Sequence, residues 1–195
     1  MLDKILNYYN QRNVSLPQKE IDVIADLITF RKLNKKEYFY KKDDSQTSLA
    51  YILKGSVRIF IEDEAKNQHN RHFAFEEDWI GEIHQIMNDL NSKTSVQAIE
   101  KTELIEVSQK AFKTILKKCP VFTEATLNFY LLNYAKLLEN EELKKTFTIE
   151  ELYTDLKKNR PEIVARIPLY HIASYLGVKP ESLSRVKKKF KETTV

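Results

Sequence analysis

The sequence predicts an α+β fold: a helical start, a small antiparallel β domain, one long helix, and a C-terminal pair of short helices hinged at a glycine. Three observations carry this. Apolar residues recur with period two through Ser48–Ile61, Arg71–Phe75 and Val96–Val107. A run free of glycine and interior proline extends from Pro120 to about Lys145 with apolar residues at helical spacing. Gly177 and Pro180 then punctuate two amphipathic segments near the end of the chain.

Taken in order, Leu2, Ile5, Leu6 and Tyr9 mark a first short amphipathic helix. Ser15 reads as the cap of a second, which carries Ile21, Ile24, Leu27 and Ile28 on one side. From about residue 30 the helical period is lost. Val57, Ile59 and Ile61 alternate with Arg58 and Phe60, and Lys54-Gly55 breaks the run as a tight turn. Phe73/Phe75, Val96/Ala98 and Glu103/Ile105/Val107 continue the pattern, so a small antiparallel barrel or sandwich is expected. Ser108 is placed to cap a helix with Phe112, Ile115 and Leu116 inward.

The long helix opening at Pro120 is apolar on two sides. Leu127, Leu131, Tyr134 and Leu138 step by four, three and four, the spacing of a coiled-coil seam. Phe122, Phe129 and Leu132 form a second stripe. Two apolar faces imply two partners, the β domain and a second copy of the chain; the alternative is a helix buried within one monomeric core. Leu152 and Leu156 mark one further helix, followed by a linking stretch with Pro161.

In the C-terminal pair, Ile172 and Leu176 share a face and Ala173 is small where a second helix comes close. Gly177 suits a left-handed helix end, and Pro180 suits a first helical turn. Leu183, Val186 and Phe190 then turn inward, while Glu181, Ser182, Arg185, Lys188 and Lys189 fall on the wet side. This is the layout of a helix-turn-helix, though an ordinary helical hairpin with a solvated basic face has the same pattern. Charge decides between them. Residues 157–191 hold ten Lys or Arg against two acids, a balance of +8, whereas residues 1–156 balance at −3. Clustered cations beside such a helix are the footprint of a phosphate backbone partner.

Composition excludes much else. One cysteine, Cys119, allows no intramolecular disulfide and no four-thiolate iron–sulfur cluster, and reads as a buried filler. Four histidines (69, 72, 84, 171) lack metal-ligand spacing, so no metal or cofactor is expected. Three glycines form no phosphate-cradling loop, and no nucleophile–base set is evident, so an enzyme is not expected. No long apolar stretch and no export signal are present; a cytoplasmic protein is the expectation.

Tyr51-Ile-Leu-Lys-Gly-Ser-Val-Arg-Ile-Phe60, Trp79-Ile-Gly-Glu-Ile83, Val96 to Ser108 and Ile172 to Arg185, in this order and spacing, resemble the Crp–Fnr family of bacterial transcription regulators, in particular its short Bacteroidetes-type members. The resemblance implies an N-terminal antiparallel beta-roll (a double-stranded beta-helix, cyclic-nucleotide-binding-like) over residues 1–119. It implies a dimerisation helix over 120–145, with Leu127, Leu131, Tyr134 and Leu138 at the interface. A helix-turn-helix DNA-binding domain follows over 146–195. It implies a homodimer on double-stranded DNA, with RNA polymerase as a further partner. Lys179, Glu181, Ser182, Ser184, Arg185, Lys188 and Lys189 would contact DNA. Glu181 and Arg185 would face base edges, and Glu181 would alternatively offset the helix dipole.

The chain departs from the family in three places. The Arg-Ser pair that grips a cyclic phosphate is matched by Ser92 and Lys93, so the guanidinium fork is missing and cyclic AMP or GMP is not the expected effector. Gly81, Glu82, Ser92, Lys93 and Thr94 remain the candidate effector pocket, for another effector or for none. About ten residues follow Arg185, so no C-terminal wing is expected. The family's glycines before the first strand pair are replaced in Lys35–Tyr38 and Asp43–Ser45. The competing reading is a ligand-sensing roll that acts through a protein partner instead of DNA.

Overall fold

The structure is a computed structural model. It describes residues 2–45 and 47–192, and of residues 140–145 and 191–192 the backbone alone. Two compact units divide the chain, one of residues 1–59 and 73–131 and the other of 60–72 and 132–195.

The first unit begins with α1 (Leu2–Asn10) and α2 (Gln18–Leu27). Pro17, not Ser15, stands at the start of α2, and its carbonyl accepts the Glu20 N–H at 2.9 Å. Ile28 has left the helix: it opens β1 (Ile28–Leu33), paired antiparallel with β8 (Thr102–Ser108), Ile28 opposite Val107 and Phe30 opposite Ile105. A β-branched residue followed by Thr and Phe prefers the pleated surface, and that preference overrides the helical spacing from Leu27. β2 (Tyr38–Tyr40), β3 (Ser48–Lys54), β4 (Val57–Glu62), β5 (Gln68–Ala74), β6 (Trp79–Ile80) and β7 (Ser95–Ala98) complete two four-stranded sheets, ordered β1-β8-β3-β6 and β2-β7-β4-β5. The short β6 and the one-turn helix α3 (Ile83–Met87) are too brief to leave a periodic signal in the sequence.

β3 shows why the sheets stack as they do. Its central residues are buried on both faces. Ala50 and Ile52 enter a core between the sheets with Leu33, Phe39, Val57, Ala74, Val96 and Leu104. Leu49, Tyr51 and Leu53 face the opposite way, into a second core under α1, α2, α4 (Gln109–Lys118) and the start of α5 (Pro120–Thr146). Gly55 closes the β3–β4 turn with φ +98°, and a Cβ there would lie 2.6 Å from the Lys101 carbonyl, so only glycine fits. Elsewhere the turns are left-handed without glycine: Lys36 and Asp43 have φ of 71° and 70°. These are the two segments where the resemblance leads one to expect glycine. Lys36→Gly is therefore expected to stabilise the fold by about 0.5–1 kcal/mol, read as a higher urea midpoint with unchanged slope.

Ser108 caps α4 as expected, its hydroxyl accepting the Ala111 N–H at 3.2 Å. Cys119 is buried, and burial raises its thiol pKa. α5 is tied down at its start by Glu20. That carboxylate is only 1 % exposed, and it accepts the backbone N–H groups of Val121 at 3.2 Å and Phe122 at 3.0 Å. A helix start leaves four N–H groups without intrahelical partners, and a carboxylate there also meets the positive end of the dipole. Glu20→Ala strands both donors beside Cys119 and is expected to cost about 2–3 kcal/mol, with Glu20→Gln costing less, by denaturant titration.

The buried face of α5 carries Phe122 and Ala125 with Phe129 beside them, and Tyr9 packs against both phenylalanine rings at centroid distances of 5.4 and 5.7 Å. Leu132, expected in this stripe, is instead 62 % exposed. Every α5 side chain from Leu131 to Glu139 is exposed, so the core that holds Phe122, Ala125 and Phe129 ends before Leu132 is reached.

In the second unit, α6 (Ile149–Asn159) opens with a capping box in which Thr148 and Glu151 satisfy each other's backbone N–H groups. These hydrogen bonds lower the pKa of Glu151. Pro161 does not lie in a linker but begins a short helix, α7 (Pro161–Arg166), at the position where its missing N–H costs nothing. α8 (Leu169–Leu176) and α9 (Pro180–Glu192) follow. Leu152, Leu156, Ile163, Ile172, Ala173, Leu176, Leu183 and Val186 are buried. The β4–β5 hairpin from residue 60 to 72 belongs to this same unit.

Candidate nucleic-acid interface and cassette

Gly177 ends α8 in the left-handed conformation, φ 71°. Its N–H donates to the Ser174 carbonyl at 3.3 Å, and the Val178 N–H to that of Ala173 at 3.0 Å. This double closure satisfies carbonyls that a helix end leaves open, and it turns the chain sharply. Lys179 then accepts the N–H groups of Ser182 at 3.1 Å and Leu183 at 3.2 Å, and α9 runs from Pro180.

The faces of α9 follow from its packing. Leu183 and Val186 are buried, and the Phe190 ring lies 5.6 Å from that of Tyr153 on α6. Opposite them, Glu181, Ser184, Arg185 and Lys188 are exposed and share one face. Ser182 is half-buried at the edge of that face, and Lys179 is exposed in the turn. Lys189 stands apart from the expected set. Its ammonium is 2.7 Å from the Glu150 carboxylate, which draws it toward α6 and away from the Glu181–Arg185–Lys188 face. The side chain of Lys191 lies outside the described residues.

Leu127, Leu131, Tyr134 and Leu138 lie roughly opposite the buried arc of α5. They are 56, 54, 51 and 50 % exposed, so four large apolar side chains in one stripe face outward from this chain.

The five residues of the candidate effector pocket, Gly81, Glu82, Ser92, Lys93 and Thr94, are brought together in one cassette of α3 and the loop before β7. Gly81 has φ +140°, and a Cβ on it would meet Leu49 Cδ2 at 2.8 Å. That close approach sets the following Glu82 at the start of α3. The Glu82 carboxylate accepts from the Ser92 hydroxyl and from the Lys93 N–H at 3.1 Å. The buried Ser92 Oγ also lies 2.7 Å from the Thr94 carbonyl and accepts the Thr94 N–H at 3.2 Å. The loop is stitched to the segment before β3: Asp43 N–H to Ser92 O at 2.9 Å, Ser92 N–H to Asp44 O at 3.0 Å. Lys93 contributes its backbone, while its side chain is exposed. An acidic oxygen therefore faces Ser92, where an incoming phosphate would need a cation.

Residues 30–119 match the sequence profile of the cyclic nucleotide-binding domain. The fold is shared with solved regulators. One, from Eubacterium rectale and assigned as a transcriptional regulator of the Crp/Fnr family, is 18% identical with a TM-score of 0.73, over 96% of this chain and 88% of that one. The c-di-GMP-responsive global regulator CLP of Xanthomonas campestris is 16% identical with a TM-score of 0.67, over 91% and 93% of the two chains. The catabolite activator protein of Thermus thermophilus is 19% identical with a TM-score of 0.53, over 92% and 86%. No curated protein matches the chain by sequence. Among the described residues no helix is long and apolar enough to cross a membrane, and no cluster of three or more His, Cys, Asp or Glu is placed to hold a metal.

Sequence reasoning missed Glu20 as the anchor of α5. It also missed a cluster of Gln68 and Asn70 with His171 and Ser174. Both join residues about a hundred positions apart, and no local periodicity encodes such a contact.

Proposed function

We propose that this chain is a sequence-specific transcription regulator of the Crp–Fnr type, acting as a homodimer on double-stranded DNA, with RNA polymerase as a further partner. The observation that carries the reading is α9. One exposed face presents Glu181, Ser184, Arg185 and Lys188, while the opposite face is packed into the unit. Arg185 forks onto guanine O6 and N7, and Glu181 accepts from a cytosine amino group. Ser182 and Lys179, at the helix start, contact backbone phosphate. Lys188 steers and neutralises phosphate, and Lys189 adds charge from the helix edge. Residues 1–119 form the sensing roll, 120–145 the dimerisation helix and 146–195 the helix-turn-helix domain. The Leu127, Leu131, Tyr134 and Leu138 stripe meets its twin on a two-fold axis, which spaces two reading helices for two half-sites.

Gly81, Glu82, Ser92, Lys93 and Thr94 form a cassette that closes on its own carboxylate. Titration with cyclic AMP or cyclic GMP is expected to give no heat and no change in DNA affinity; micromolar binding of either would overturn this part of the reading. The function itself is tested by gel shift over a salt series. A regulator of this kind binds selected genomic fragments with a steep loss of affinity between 50 and 200 mM salt. A protein acting through a protein partner shows no such salt-dependent DNA complex.

A further inference from the structure

Among the described residues β5 is the outer strand of its sheet, with no further strand along its free edge. α8 fills that place. The Ser174 hydroxyl accepts the Asn70 N–H at 3.0 Å and donates to the Gln68 carbonyl at 3.1 Å. Asn70 answers with its side chain. Its Nδ2 donates to the His171 carbonyl at 3.2 Å and lies 3.1 Å from His171 Nδ1. Asn70 is 4 % exposed, while His171 and Ser174 are half-buried and Gln68 is exposed, so the Asn70 amide is shielded from water and the loss of its partners is costly. His171 and Ser174, one turn apart, lie on the face of α8 opposite the Ile172–Ala173–Leu176 seam. The contact is thus additional to the apolar core of the C-terminal helices. Edge protection alone is met by a lysine or a proline; four directional contacts from two strand residues to two helix residues also fix a position.

We propose that the hairpin of residues 60–72 is a working part of the reading head, and that the Asn70–Ser174 latch presets the head for duplex binding. This rests on the DNA-reading function proposed above. The far ends of the hairpin strands, Val57 and Ala74, are anchored in the core between the two sheets. The latch fixes the hairpin to α8, the helix that precedes the reading helix, within one unit. A reading head whose hairpin and helices are already fixed to one another loses little conformational freedom on binding, whereas a loosened one loses it at the moment of binding.

The test compares full-length wild type, Asn70→Ala/Ser174→Ala, and Ser174→Thr, which keeps the hydroxyl. Amide hydrogen exchange reads the latch. Gel shift reads affinity for a genomic fragment recovered with the wild-type protein and for a scrambled fragment. In the double variant, exchange over residues 60–72 is expected to rise about tenfold or more while α9 keeps its protection. Affinity for both fragments falls about 5- to 20-fold with their ratio and the salt slope unchanged, and Ser174→Thr behaves as wild type. Unchanged hairpin exchange overturns the latch. Raised exchange with unchanged affinity reduces it to edge protection and overturns the proposed role in binding. A wild-type protein that binds no DNA sinks the function reading itself and the latch's role with it, a result distinct from either.

Discussion

Arg185→Ala is expected to abolish discrimination between operator and scrambled DNA while leaving fold and oligomeric state intact. The side chain is exposed on α9, opposite Leu183 and Val186, so its removal leaves no cavity. A guanidinium that takes O6 and N7 of one guanine contributes about 1–3 kcal/mol of discrimination at each half-site. A two-fold dimer uses it twice, so competition gel shifts are expected to show the preference fall by one to several orders of magnitude. Lys188→Ala gives the opposite pattern: a uniform loss across all sequences and a salt slope shallower by about one per protomer. If Arg185→Ala keeps its selectivity, the role assigned to that side chain is wrong.

The second large effect is expected from Leu131→Glu combined with Leu138→Glu. Each leucine is about half exposed on the isolated chain, and burying the remainder contributes on the order of 1 kcal/mol per side chain. In the proposed dimer, four such residues per protomer, doubled by the two-fold, would supply most of the association energy. Glutamates on that axis face their own copies, so like charges meet without water. Light scattering is expected to give a monomer. Affinity for a two-half-site fragment falls at least about a hundredfold, with single half-site binding little changed. A double variant that stays dimeric would move the interface elsewhere.

The parts of this molecule that were legible in the sequence are those governed by local rules. Period-two alternation marked β4, β5, β7 and β8, and Ser108, Gly177 and Pro180 each sit where cap and turn chemistry put them. On α5 the heptad spacing correctly put Leu127, Leu131, Tyr134 and Leu138 on one stripe, and all four are exposed on the single chain. Where two local preferences competed, the reading failed. Ile28 continued a helical spacing but obeyed its β-branched preference once Val107 stood opposite it. Pro161 reads as a breaker and as a helix opener alike, and which holds depends on Ile163 finding a core.

Long-range polar partners left no trace. Nothing around Glu20 announces that it caps a helix beginning at Pro120, and Lys189 reads like its neighbours until Glu150 is seen beside it. In the cassette, the missing arginine was visible at Ser92. That Glu82 occupies the hydroxyl there is a fact of the folded chain alone.

In the proposed function two copies of this chain together read one stretch of duplex. Equilibrium binding of the full-length protein to its recovered genomic fragment, with stoichiometry measured across a salt series, tests it most directly. Two protomers per site and a slope of log affinity against log salt of roughly −5 or steeper are the predicted result. A single protomer bound with a shallow slope, and equal affinity for scrambled DNA, would contradict it.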